Sequence, residues 1–228
     1  MAKKKKNRKK KINPIVSLIH LGCPKNLIDS EKILGQLASD GYLIAQQPEE
    51  SDIVLVNTCG FIKDARKESI STLKRLRKFK SKGKIKTIIA IGCMVQLYGK
   101  KLFEKIPDLD GIVSFCEYKN ITNYIRNIIE KKQNLFFQDE AFVPSDELRL
   151  RVTPKNFAYL RITEGCSNWC SYCNIPIIRG EMRSKPIAQI IEEAKLLITD
   201  GTKELIIIGQ DTGAYGKDLE EDINLYTL

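Results

Sequence analysis

Between residues 15 and 131 the chain alternates short runs that are apolar almost throughout with longer stretches whose apolar residues recur at helical spacing. PIVSLIHL reads as a strand, and LIDSEKILGQLASDG as the helix that follows it, with Gly41 as its stop. Further strands are expected in DIVLVNT (52–58), KTIIAIG (86–92) and GIVSF (111–115), with helices near 63–80, 95–105 and 119–131. A strand with no polar face must be covered on both sides. Strands that alternate with helices run parallel, so the pattern predicts an α/β domain over 14–131 built on a parallel sheet.

The stretch 132–155 is charged and aperiodic, contains two prolines, and reads as a linker. A strand (FAYLRIT, 157–163), a cysteine-rich loop, a helix after Pro186 and a strand (KELIIIGQ, 203–210) then open a second α/β region over 156–228. At ~30 residues per βα unit, that region holds two to three units. This is short of a closed barrel and leaves apolar sheet edges open, so the chain by itself is expected to be poorly stable or inactive.

Charge changes the picture only at one end. The 38 Lys and Arg exceed the 28 acidic residues by ten, but MAKKKKNRKKK holds eight of the bases and no acid, leaving +2 for the rest. Residues 1–13 therefore read as a disordered, solvated basic tail. The alternative is a ribosome or RNA anchor acting through phosphate contacts. The basic stretch 66–86 reads as the solvated polar face of a helix. IVSLIHLGC after a charged start invites comparison with a secretory signal, but the run is short and Pro14 interrupts its start. No stretch approaches the ~20 apolar residues of a membrane span. The expectation is a cytoplasmic protein with no membrane partner, in which seven cysteines stay reduced and point to metal binding or catalysis before disulfides.

Cys23, Cys59 and Cys93 each directly follow an expected strand, in LGCPKN, VNTCGF and AIGCMV. In an open parallel sheet the carboxyl ends of the strands share the edge where ligands bind. Three small buried residues are the bland alternative. Cys116 and His20 read as core residues. Cys166, Cys170 and Cys173 lie together in EGCSNWCSYC. Three thiolates can hold three irons of a 4Fe-4S cube and leave the fourth open. Zinc is the competing reading, but a structural zinc asks for four protein ligands, and no further Cys or His lies near this loop.

The CxxxCxxC spacing, with Tyr172 just before the last cysteine, resembles the radical S-adenosylmethionine (SAM) enzymes. With the three strand-end cysteines ahead of it, the whole resembles the methylthiotransferase family. That resemblance implies an N-terminal parallel-sheet methylthiotransferase domain followed by the start of a radical SAM partial βα barrel. It also implies two 4Fe-4S clusters: one on Cys166, Cys170 and Cys173 that binds SAM, and an auxiliary one on Cys23, Cys59 and Cys93 that delivers sulfur. One SAM would supply the methyl group and another the radical. LGCPKN with DSE (29–31), VNTCGFIKDA, CNIPIIRGEMRS (173–184) and GQDTGAYG (209–216) are most similar to one branch of the family. That branch methylthiolates the β-carbon of an aspartate on a small-subunit ribosomal protein. The transfer RNA branches share the six cysteines but typically lack Pro24, Lys25 and the QDT at 210–212. By the resemblance Tyr172, Gln210, Asp211 and Arg183 bind cofactor, Arg179 helps Arg183 shape the mouth of the site, and the partners are the ribosomal protein and an electron donor. Family members continue through the remaining barrel strands into a TRAM domain, so the resemblance covers only their N-terminal portion. A transfer RNA adenosine methylthiotransferase is the alternative within the family, and a non-catalytic iron-sulfur protein the alternative from another class.

Overall fold

The computed structural model describes residues 14–137, 145–219 and 222–228. The expected basic tail and residues 138–144 of the expected linker lie outside the described residues. Six strands form one all-parallel sheet: β1 (Ile15–His20), β2 (Leu43–Ile44), β3 (Ile53–Thr58), β4 (Thr87–Gly92), β5 (Gly111–Val113) and β6 (Leu135–Phe136), in the order β2-β1-β3-β4-β5-β6. Successive side chains of a strand point to opposite faces. Accordingly Leu55, Ile89 and Ile91 join one core with Ile33 and Leu37 of α1 (Pro24–Ser39). Val54, Val56, Ile88 and Ala90 join the other with Leu73 and Leu76 of α2 (Lys63–Ser81). The sheet is covered on both faces, as strands this apolar require.

The structure departs from the sequence reading in several places, the unexpected two-residue β2 among them. The helix expected over 95–105 is two, α3 (Cys93–Tyr98) and α4 (Lys101–Lys105), separated at Gly99, whose φ is +50°. The segment expected near 119–131 opens as a 3-10 helix (Phe115–Asn120) before α5 (Ile121–Ile129). The first helix starts at Pro24 because Cys23 is its N-cap and proline is well placed in a first turn. Finally, Leu135–Phe136, inside the stretch read as a linker, adds β6 to the sheet edge; two residues are too few to show a period.

In the second region β7 (Phe157–Arg161) continues into β8 (Thr163–Glu164), and α6 (Ile175–Arg179) precedes β9 (Arg183–Ser184), which pairs antiparallel with β8. The helix α7 (Ile187–Thr199) then leads to β10 (Glu204–Ile208), which lies parallel to β7. Leu160, Ile162, Ile190, Leu197 and Tyr215 form its core. Leu196, Ile198 and Ile207 remain exposed. Among the described residues no helix is long and apolar enough to cross a membrane.

Candidate iron-sulfur and cofactor site

β1, β3 and β4 are adjacent in the sheet and parallel, so Cys23, Cys59 and Cys93 all emerge at its carboxyl edge. Glycine lets these loops close on one another. A Cβ on Gly22 would stand 2.8 Å from Cys59 Cβ, and one on Gly60 would stand 2.9 Å from the Cys93 carbonyl oxygen. Asn26, fully buried in the first turns of α1, donates its amide to Leu21 O at 3.0 Å and Thr58 O at 3.2 Å, tying the first two loops.

The second trio lies across a shared cavity. Cys23, Cys59, Cys93, Cys166, Cys170 and Cys173 all line one space of about 590 Å³. Lys25, Tyr172, Arg179, Gln210 and Asp211 complete much of its wall. Tyr172 is 85% exposed at the mouth, and Asp211 accepts a hydrogen bond from Asn168 Nδ2 at 3.0 Å. Arg183 is not among the lining residues; its guanidinium donates to Glu181 O at 3.3 Å. Cys116 sits apart in the sheet core. His20 is half-buried rather than enclosed, and among the described residues its Nδ1 has no hydrogen-bond partner.

Among the described residues no three Cys, His, Asp or Glu side chains gather closely enough to ligate a single metal ion. A cube demands something different, since each thiolate meets its own iron. By type and number each trio of thiols matches the donors such a cube would take, with one corner left over.

Beneath the cavity runs a layer of buried charge that the sequence reading did not assign. Lys25 Nζ donates to Thr163 O at 2.7 Å and to Gln210 Oε1, and lies 3.3 Å from Glu164 Oε1. Arg161 pairs with Asp29 at 2.8 Å, Asp146 at 2.5 Å and Glu164 at 2.8 Å. Arg179 donates to Asp29 at 3.0 Å, to Asn26 at 2.7 Å and to Cys93 Sγ at 3.2 Å, its guanidinium lying over the Phe115 ring. Lys185 links Asp146 to Glu193. The balance is four cations against four carboxylates, as burial of charge demands. Lys25, Asn26 and Asp29 belong to the first region and their partners mainly to the second, so this layer is the seam between them.

Proton affinities follow from burial and these neighbours. Burial pushes the Cys93 thiol up to about 11 against the pull of Arg179, and also raises Cys59. Burial likewise lowers Lys25 to about 8, although Glu164 opposes it. Burial works against ionised Glu164, but Lys25, Arg179 and Arg161 outweigh it and hold that carboxyl well below the usual range. The signal for this seam was present in the sequence. A strand expected to be buried cannot carry Arg161, nor the following residues Glu164, without partners.

Two family models match the chain. Residues 15–114 match the family described as Uncharacterized protein family UPF0004, and residues 160–228 match the Radical SAM superfamily. The fold is shared with solved structures of TsrM, a radical S-adenosylmethionine methyltransferase from Kitasatospora setae. The structure with cobalamin and a [4Fe-4S] cluster bound gives a TM-score of 0.57 at 11% identity, covering 89% of this chain and 50% of that one. The structure with tryptophan and a SAM analogue bound gives 0.54 at 12% identity, covering 84% and 48%. At such identities the likeness speaks for the fold alone. It is the family match over residues 160–228, the stretch bearing CxxxCxxC, that marks this part of the chain as a radical SAM domain, set beside an α/β sheet with cysteines at its carboxyl edge.

Curated relatives narrow the class. Ribosomal protein uS12 methylthiotransferase RimO of Citrifermentans bemidjiense is 44% identical over 215 residues, 93% of this chain and 48% of the relative. RimO of Syntrophus aciditrophicus is 45% identical over 210 residues, 90% of this chain and 46% of the relative. Over 90% or more of its length the chain is thus similar to the N-terminal part of these RimO proteins, with the UPF0004 match ahead of the Radical SAM match. It spans about half the length of the curated relatives it matches.

Proposed function

We propose that this chain carries the two cluster-bearing regions of an enzyme that methylthiolates the β-carbon of an aspartate in small-subunit ribosomal protein uS12. The observation that carries this reading is that all six motif cysteines line one cavity of about 590 Å³. Cys166, Cys170 and Cys173 would hold one 4Fe-4S cluster, and Cys23, Cys59 and Cys93 a second. The chemistry supplied at the Cys166, Cys170 and Cys173 site would be one-electron reduction of SAM bound at the iron left without a protein ligand.

The protein's own part is placement. Lys25 anchors Gln210, leaving the Gln210 amide to reach Glu164 at 3.0 Å, so the strand-end glutamine is held beside the loop trio. Asp211 and Tyr172 flank the same space for the cofactor, whereas Arg183 acts from outside it. Buried Lys25 and Arg179 supply positive charge where thiolates and clusters bring negative charge. Lys25 and Gln210 come from the two motif stretches that set the ribosomal-protein branch apart from the transfer RNA branches, and they touch. The enzyme is proposed to act in the cytoplasm with an external one-electron donor.

Anaerobic reconstitution tests the cluster count: about eight irons per chain fit two cubes. Activity is tested by incubating the complete enzyme with SAM, a reductant and either uS12 or transfer RNA, followed by mass spectrometry. Methylthiolation of transfer RNA instead of uS12 would reject the substrate; one zinc per chain would reject the chemistry.

A further inference from the structure

We infer that the exposed face of α2, with the groove beside it, is a docking surface for the phosphate backbone of RNA. This deepens the reading above, in which the substrate is a ribosomal protein, by naming a second contact that the enzyme makes around that substrate.

The charge of the body is not spread evenly. Residues 63–86 contain eleven basic and two acidic residues. Outside them and outside the first eleven residues, nineteen basic residues face twenty-six acidic ones. The near-neutral body is thus a strongly positive helix on an otherwise negative protein. Lys63, Lys67, Lys74 and Lys78 recur at intervals of four, seven and four, which places them within about 60° of arc on a helix of 3.6 residues per turn. All four are exposed, as are Arg75, Lys82 and Lys84. A helix of 19 residues is about 28 Å long, so the lysines form a line and not a cluster.

Four of the eleven bases are paired locally: Arg77 with Asp108 at 2.8 Å, Lys80 with Asp110 at 2.5 Å, Lys67 with Asp64 at 3.1 Å and Lys86 with Asp52 at 2.7 Å. Among the described residues no acidic partner is recorded for Lys63, Lys74, Arg75 or Lys78. Lys74, Arg77, Lys78 and Ser81 also wall a groove of about 470 Å³, closed on the far side by Lys105 and Pro107. Asp108, paired with Arg77, and Ile106 also line it, so a concave strip with four basic side chains against one carboxylate suits a ribose-phosphate chain.

The same helix is unsuited to a lipid surface. An interfacial helix presents an apolar face to the bilayer. The apolar residues Leu73 and Leu76 of α2 instead face the sheet core, and its outward face is basic. The lysine line begins close to Gly60, whose carbonyl accepts from Arg66 at 3.2 Å, and so next to the Cys59 loop. RNA bound there would run from beside the cysteine cavity along the flank of the domain.

The test uses the whole chain and a labelled mixed-sequence RNA hairpin, followed by fluorescence anisotropy over a range of salt. One variant carries Lys74→Ala, Arg75→Ala and Lys78→Ala. A control carries Lys119→Ala, Lys195→Ala and Lys203→Ala, which removes equal charge from other exposed positions. Losing three phosphate contacts should lower the slope of log Kd against log salt by roughly two to three in the first variant and leave it unchanged in the control. A third variant with Lys74→Arg and Lys78→Arg should keep wild-type binding, which separates lost charge from lost folding. Equal weakening in the first variant and the control, or no weakening, overturns the inference. So does equal binding of wild type to phosphatidylglycerol vesicles. Binding of the hairpin requires no cluster, so the result stands apart from the iron count and the methylthiolation assay.

Discussion

Arg161→Met would test whether the seam holds the two regions together by charge. Arg161 is 1% exposed and serves three carboxylates, at 2.8 Å to Asp29, 2.5 Å to Asp146 and 2.8 Å to Glu164. Each would keep another cation: Arg179 for Asp29, Lys185 for Asp146, Lys25 for Glu164. The buried layer would nevertheless hold one negative charge too many, and removing one partner of a buried ionic group costs about 3–5 kcal/mol. The pH dependence gives the second signature. In the wild type the Asp146 and Glu164 carboxyls lie well below their ordinary range, because their cations outweigh burial. Their contribution is present above the unfolded values of 3.8 and 4.5, and is lost only as pH falls through the lower folded values. In Arg161→Met the surplus carboxylate should take up a proton at higher pH than before, so the gap between variant and wild type should narrow on acidification towards pH ~5. Urea unfolding followed by circular dichroism at both pH values measures this, and Asp29→Asn in the variant background should recover ~1 kcal/mol or more at neutral pH. A loss below ~1 kcal/mol at neutral pH, or a gap that does not shrink, refutes the reasoning.

Four other outcomes are expected. Cys23→Ala, Cys59→Ala and Cys93→Ala together should halve the iron bound after reconstitution, to about four per chain, while Cys116→Ala leaves it unchanged. Arg179→Gln removes a charged donor from Cys93 Sγ, so redox titration by electron paramagnetic resonance should move one cluster to more negative potential and leave the other in place. Lys25 has a folded pKa of about 8 against an ordinary 10.5. Between those values the unfolded chain holds a proton the folded chain has shed, so wild-type stability should gain about 3 kcal/mol from this group as pH rises, and Lys25→Met should lose that rise in urea unfolding. Gly165→Ala would place a Cβ 2.0 Å from Glu181 O at a φ of +78°, whereas Gly83→Ala, at +71°, meets nothing within 4 Å. Thermal melting should show a loss of about 2 kcal/mol or more for the first and about 1 kcal/mol for the second.

The sheet was legible because its strands are apolar on both faces and its helices keep their period. Val54, Leu55 and Val56 leave no polar face for solvent, and the structure buries all three. The placement of Cys23, Cys59 and Cys93 at one edge followed from parallel topology. Elements of two residues, such as β2 and β6, carry no period and could not be read. The expected cofactor role falls on Arg183 and only a share in shaping the mouth on Arg179, because spacing along α6 and the turn after it does not say which guanidinium faces inward. Packing decides that: Arg179 is 2% exposed, enclosed by Asp29, Glu164 and the Phe115 ring. Lys25 and Asp29 stood in quoted motifs, yet their partners lie more than a hundred residues away, beyond the reach of any local pattern.

Because the seam pairs Lys25 and Asp29 with Glu164, Arg161 and Arg179, swinging the two regions apart would strand several ions in half-dry surroundings at once. A clamshell motion is therefore the expensive route into the cavity. Access to the cavity is left to the rim where Tyr172 stands in solvent, and selectivity becomes a property of that doorway instead of a hinge.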